Sequence, residues 1–319
     1  MSIVIRSLQG GQLVESRNVD ELARIVAARG SRTWIDLAHP TAELVGAVAR
    51  RLGLHHLIAE DIVEKNERAK IELVDDVVHL VLFVIEPGTD ARTDEVDFVL
   101  GRDFLVSIHG TSWDPTGAHQ LRMGVGTALE QGPDHLLWAL CDAIVDGYFP
   151  IFDRISDEIE SVQDQVLGAP NQAALQQVFR LRGELIRMRH VIAPSREAFA
   201  QLTSREFPII GEATVLYFRD VYDHLIRLNE ELDTHRELLS GTLDIYLSSV
   251  NNNLSTIMKR LTGVTVILAG IGAIGGLFGM SEASGALSGE VGVGFWVVLA
   301  VTAIGAALAV FALRRINWL

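Results

Sequence analysis

The stretch LTGVTVILAGIGAIGGLFGM, residues 261–280, carries no charged side chain, and its reading decides how the rest of the chain is organised. About twenty such residues in one helix cross a hydrocarbon layer of roughly 30 Å. A soluble core helix rarely stays apolar on every face for that long. Residues 293–313 form a second such run, and the only charges from Leu261 to Leu313 are Glu282 and Glu290, both between the two runs. Lys259 and Arg260 precede the first run, Arg314 and Arg315 follow the second, and 281–292 has no lysine or arginine. That bias predicts two transmembrane helices, 261–280 and 293–313, a loop outside at 281–292, and a cytosolic tail at 314–319. Trp296 and Trp318 fall near opposite ends of the second run, where indole rings favour the interface.

Charged residues recur through the first 260 positions, which marks them as the water-facing part. Within it, Trp34-Ile35-Asp36-Leu37, 77–84, 96–100 and 104–108 read as strands. Gly101-Arg102-Asp103 fits a hairpin connection between the last two. Residues 20–29 and 41–51 have helical spacing of apolar side chains, so 1–132 is expected to be an α/β domain with a helix-covered sheet. From Pro133 β-branched runs disappear. Residues 134–167 and 171–199 read as two antiparallel helices joined at Gly168-Ala169-Pro170, within a helical region 133–215. A stalk helix follows at 216–260. Its apolar positions Phe218, Val221, Leu225, Leu228, Leu232, Leu239, Leu243, Val250, Leu254, Ile257 and Leu261 make a nearly continuous stripe, with a polar step at His235. No strong stop separates this helix from the first membrane run, so one helix of about sixty residues, roughly 90 Å, is expected. Its stripe calls for partners, most simply other copies of the chain.

The formal charge of −14 argues against nucleic-acid binding, which uses a basic face, and suits either plain solubility or attraction of cations. One cysteine, Cys141 in an apolar run, rules out an intrachain disulfide or a thiolate metal cluster. The N-terminus lacks a basic start followed by an apolar run, so it does not read as a signal peptide and the first region is expected in the cytoplasm. There is no Walker-type loop and no His-Glu-x-x-His, so an enzyme role has no support. His55 and His56 with Glu60 and Asp61 could bind a transition metal at helical spacing, though surface histidines are common. Asp157, Glu158 and Glu160 read as a solvated helix face.

Along the first membrane run, Ser255, Met258, Thr262, Thr265, Ala269, Gly272 and Gly276 share one face, and all but Met258 are small or polar. Two readings stand. Gly272-xxx-Gly276 and Gly275-xxx-Gly279 suit close helix packing; the same stripe in a ring of protomers would line a pore. Glu282 and Glu290 are either a solvated loop or rings of carboxylate that concentrate cations at the outer mouth.

The segment Tyr217-Phe218-Arg219-Asp220-Val221-Tyr222-Asp223-His224, continued by 238–250 and by Met258-Lys259-Arg260-Leu261-Thr262, resembles the stalk of the CorA family of divalent cation transporters. Weaker similarity covers 142–220, and Lys70-Ile71-Glu72 resembles an early family segment. The resemblance implies a homopentameric, ATP-independent channel with a funnel-shaped cytosolic domain, in a cell (inner) membrane, multi-pass, with both termini cytoplasmic. It implies Mg2+ as substrate and regulatory ligand, or Co2+, Ni2+ or Zn2+ in its place, and no other cofactor. Carried over by position, Ser255, Met258, Leu261, Thr262, Ala269, Gly272, Gly276 and Ser281 would line the path, with Met258 and Leu261 as its hydrophobic constriction. Asp220 would join Asp75 or Asp76 of a neighbouring subunit in a regulatory cation site supported by Asp142. The family's Gly-Met-Asn is replaced here by Gly279-Met280-Ser281. A serine hydroxyl is shorter than an asparagine amide and less committed as an acceptor, so Glu282 is expected to replace part of the missing ring. The altered motif also leaves open a non-conducting sensor or assembly protein of the same fold. With no Cys or His in either span, the membrane runs themselves favour a hard or hydrated ion.

Overall fold

The computed structural model describes residues 2–86, 92–118, 121, 124–168, 171–205, 207–286 and 293–315, with helix backbone only for 277–286, 293–295 and 298. It divides into two compact units, Met1–Asp164 with Gln172–Thr242, and Gln165–Asn171 with Leu243–Leu319.

The first unit is built on one seven-stranded sheet. Its strands are β1 (Ser2–Gln9), β2 (Gln12–Ser16), β3 (Arg32–Ala38), β4 (Lys70–Val74), β5 (Val77–Ile85), β6 (Thr93–Leu100) and β7 (Phe104–His109), in the order β2-β1-β3-β7-β6-β5-β4. Only β3 and β7 run parallel. The sequence anticipated β3, β5, β6 and β7, and the turn after Leu100 closes as a hairpin, with Gly101 N donating to Phe104 O at 2.9 Å. β1, β2 and β4 are additions, because their half-exposed, charge-bearing residues blur the apolar signal.

Almost every residue of the central strands is buried irrespective of parity, so both faces of the sheet are covered. One core gathers Ile5, Ile35, Leu37, Val99, Val106 and Ile108 from the strands. Leu22 and Ile25 of α1 (Leu22–Val26), Val48 of α2 (Ala42–Leu52) and Ile58 of α3 (His56–Glu64) complete it. Thr41 caps α2 by accepting from Leu44 N, and Gly53 ends it at φ +69°, a left-handed turn that costs glycine nothing. The helix expected at 20–29 is only the short α1 behind a 3-10 turn at Val19–Glu21. α4 (Val125–Gln131) and α5 (Pro133–Asp146) pack against β1, β3 and β5 to β7.

The helix expected over 134–167 is two helices, α5 and α6 (Phe149–Gly168). Pro150 is the reason: its ring has no N–H and would strike the carbonyl of Asp146, so the helix restarts rather than continues. α7 (Gln172–Ser204) returns and packs on β4 and β5. Glu158 is not merely a solvated acid. It pairs with Arg154 at 2.6 Å and with Arg180, and both arginines also pair with Glu184, which is fully buried.

α8 (Glu212–Ala286) is one helix of 75 residues, longer than the sequence suggested at both ends. It includes 281–286, which the sequence assigned to the loop; no proline interrupts the ladder of backbone bonds there, and Ser284-Gly285 does not end it. The apolar stripe divides along its length. Phe218, Val221, Leu225, Leu228, Leu232, His235, Leu239 and Thr242 are buried, whereas Leu254, Ile257 and Leu261 are more than half exposed. The upper stripe is therefore covered within the first unit, and only the part beyond Thr242 still needs a partner. This narrows the expectation that the whole stalk stripe awaits other copies.

In the second unit, α9 (Val293–Arg315) has no acidic residue and ends in Arg314 and Arg315. Apolar composition alone does not separate core from membrane. The Pro133–Gly168 stretch is also apolar but 61% buried, whereas the apolar window within Glu212–Gly276 is 6% buried. The α8 window presents its apolar side chains outward, as a lipid-facing or partner-facing helix must.

Candidate cation site and membrane stripe

α5 and α8 run side by side in the same direction, tied at steps of about one helical turn. At the start, Asp134 Oδ2 accepts from Gly211 N at 3.0 Å and from Thr214 Oγ1 at 2.7 Å. Next, the Trp138 ring lies 4.6 Å from Tyr217, with His135 completing an aromatic group. Further on, His224 Nδ1 stands 3.6 Å from Asp146 Oδ1, and its ring meets Phe149 edge-on at 5.5 Å. Arg227 then covers Phe149 at 4.8 Å.

Between the second and third ties lie Asp142 of α5 and Asp220 and His224 of α8. One ligand atom from each lies within 4.8 Å of the others. Asp220 and His224 share a face because they are four residues apart, with His224 Nε2 at 4.0 Å from Asp220 Oδ2. Asp142 is 7% exposed, while Asp220 is open to solvent. Two carboxylates and an imidazole at this spacing are a donor set that could hold a cation, with a sheltered floor and an open mouth. Asp142 and Asp220, both anticipated from the family resemblance, are brought together in the structure. The sequence reading passed over His224, although a histidine four residues after a ligand carboxylate on one helix was the available signal.

Asp75 and Asp76 are exposed at the two-residue tip of the β4–β5 hairpin, where Asp75 takes φ +53°. Among the described residues they join no group of potential metal ligands within the protomer. His55 caps α3 by accepting from Leu57 N, and His55, His56, Glu60 and Asp61 do not gather as a ligand group, in keeping with their reading as surface residues.

On α8, Ser255, Met258, Leu261, Thr262, Ala269, Gly272 and Gly276 are all exposed. α9 lies on a different face, forming with α8 an apolar groove of about 460 Å³ lined by Val266, Ile267, Gly270, Ile271 and Ile274. At 3.6 residues per turn the two sets are centred roughly 160° apart. Gly272-xxx-Gly276 is therefore not spent on packing against α9. Gly279, Met280, Ser281 and Glu282 lie on the described helix backbone, and their side chains and Glu290 lie outside the described residues.

The family described as CorA-like Mg2+ transporter protein matches residues 30–315. The chain belongs to that family. It is 33% identical over 296 residues to a cobalt/magnesium transport protein CorA of Thermotoga maritima, covering 90% of this chain and 83% of that protein. A zinc transport protein ZntB of Yersinia pseudotuberculosis is 22% identical over 275 residues, 82% of each chain. The solved CorA magnesium transporter of Methanocaldococcus jannaschii shares the fold at a TM-score of 0.80 and 22% identity, covering 100% of this chain and 99% of that one. The family is one of divalent cation transporters of membranes, and the α/β unit with its long helix is of that fold.

Proposed function

We propose that the chain conducts divalent cations, Mg2+ first among them, as a homopentamer whose α8 helices line the pore and whose α9 helices face lipid. The supporting observation is where the small and polar stripe lies: Ser255 to Gly276 stand on roughly the opposite side of α8 from the groove it forms with α9. In this reading both spans cross the cell (inner) membrane with their termini in the cytoplasm, the orientation that Lys259, Arg260, Arg314 and Arg315 favour. Met258 and Leu261 form the hydrophobic constriction. Gly279-Met280-Ser281 receives the hydrated ion, and Glu282 and Glu290 gather cations at the outer mouth.

Gating follows from the soluble side. Asp142, Asp220 and His224 hold a regulatory cation, which Asp75 or Asp76 of a neighbouring protomer completes. Carboxylates facing one another across an interface repel unless a cation sits between them, so filling the site favours the closed ring and emptying it releases the ring. Purified protein in liposomes, with Mg2+, Zn2+ and Co2+ uptake followed separately, tests the reading. Flux of Mg2+ supports it; absence of all three fluxes overturns it in favour of a non-conducting sensor.

A second reading, transport or sensing of Zn2+, Co2+ or Ni2+, has one specific observation behind it. His224 adds a nitrogen donor to the two carboxylates, which suits a borderline ion better than Mg2+. Uptake of Zn2+ without Mg2+ would select it.

A further inference from the structure

Away from the α5–α8 site, the first unit holds a second group of potential ligands. Glu72 on β4 and His79 on β5 are directly opposite in the antiparallel ladder, and Asp61 comes over them from α3. One ligand atom from each of the three lies within 4.8 Å of the others. His79 is fully buried, and its Nε2 lies 2.9 Å from Asp97 Oδ1 on β6. The other ring nitrogen, Nδ1, is buried with no hydrogen-bond partner among the described residues. An imidazole that gives its Nε2–H to a carboxylate presents Nδ1 as a lone pair, the arrangement that orients and strengthens a histidine metal ligand. A buried acceptor with nothing to accept is costly, and a cation beside it removes the cost.

The two carboxylates already hold a cation of the chain's own. Lys70, two residues before Glu72 on the same strand, places Nζ 2.6 Å from Asp61 Oδ2 and 3.1 Å from Glu72 Oε2. An ammonium can satisfy the two carboxylates. No hydrogen bond links it to His79 Nδ1, which a metal ion held by all three groups would engage. We propose that Asp61, Glu72 and His79, oriented by Asp97, form a transition-metal site in the α/β domain, filled by the Lys70 ammonium when metal is scarce. One nitrogen and two carboxylates suit Zn2+ or Co2+, with water completing the coordination, and do not suit Mg2+, which keeps oxygen ligands and its own water. The site lies within one protomer and does not rest on the pore or on the Asp142–Asp220–His224 group.

The test uses the full-length protein in detergent with Mg2+ in excess, titrated with Co2+ by visible absorption and by equilibrium dialysis, in a His224→Asn background that removes the other histidine-bearing group. One Co2+ per protomer is expected, displaced by Zn2+. Lys70→Met should tighten Co2+ binding at least tenfold by removing the tethered competitor. Glu72→Gln, at an exposed position that leaves the core intact, should weaken it at least tenfold, as should His79→Phe. Unchanged affinity in Glu72→Gln, whose folding does not depend on the buried histidine, overturns the site. Unchanged affinity in Lys70→Met overturns the displacement by lysine.

Discussion

Asp220 shows how much a single position can carry. Its carboxylate stands on an exposed helix face, yet Asp142 and His224 bring a ligand atom each to within 4.8 Å of it, which makes it one arm of the proposed cation site. Asp220→Asn should raise the Mg2+ concentration that protects the chain from limited proteolysis at least tenfold, while the melting temperature without cation stays within a few degrees. If protection is unchanged, the regulatory role assigned to this group falls. Glu282→Gln should lower initial Mg2+ uptake in liposomes several-fold at low ion concentration; an unaltered rate would remove Glu282 from the outer mouth. His235 makes a different kind of prediction. It is buried against Phe152, and burial pushes its pKa below the ordinary value, only partly opposed by Glu231. The folded state therefore resists the proton that the unfolded chain accepts, so this stability is full above about pH 6.5 and is lost as pH falls below it. His235→Leu should narrow the gap between melting temperatures at pH 7.5 and pH 5. Asp142 and Asp220 were legible in the sequence because they stand at family positions. His79 was not, since a histidine inside an apolar strand looks like any other core residue until the strand opposite supplies a carboxylate.

At the scale of elements, the α5–α8 pairing and the α6–α7 ion network do the positioning. Asp134→Ala leaves Gly211 N and Thr214 Oγ1 without their acceptor and should cost about 1 kcal/mol in chemical denaturation. Glu184→Ala should cost more, about 3 kcal/mol, because it strips a fully buried carboxylate from two arginines. Partial exposure of both arginines keeps the cost from rising further. A denaturation midpoint unmoved by Glu184→Ala would show that the arginines turn to water instead. Helix existence was readable from apolar spacing; helix ends were read less well. The α5–α6 break turns on Pro150 acting against a carbonyl four residues back, and α8 runs on to Ala286 through Gly279 and Gly285, with no proline to end it. The parallel run of α5 beside α8 could not be read at all. It needs contacts between Trp138 and Tyr217, and between Asp134 and Thr214, that are about 80 residues apart in the chain.

For the whole molecule, the decisive feature is which side of α8 is left uncovered. If the exposed stripe lines the pore, Gly272→Leu and Gly276→Leu should reduce Mg2+ flux at least tenfold while the oligomer elutes unchanged on size exclusion. A dissociated oligomer with flux lost only in proportion would instead make the stripe a packing seam between copies. The sequence by itself determined the change of composition at Leu261, the two apolar runs, their flanking Lys and Arg residues, and the family. These are properties of consecutive residues, where period, composition and charge sum along one chain. Tertiary structure alone decided which half of the α8 stripe is buried. It also decided that α9 takes the face opposite the small residues, and that His224 joins Asp142 and Asp220. Each of these depends on the rotation of one helix about its axis against another, which long-range packing fixes and no local pattern encodes.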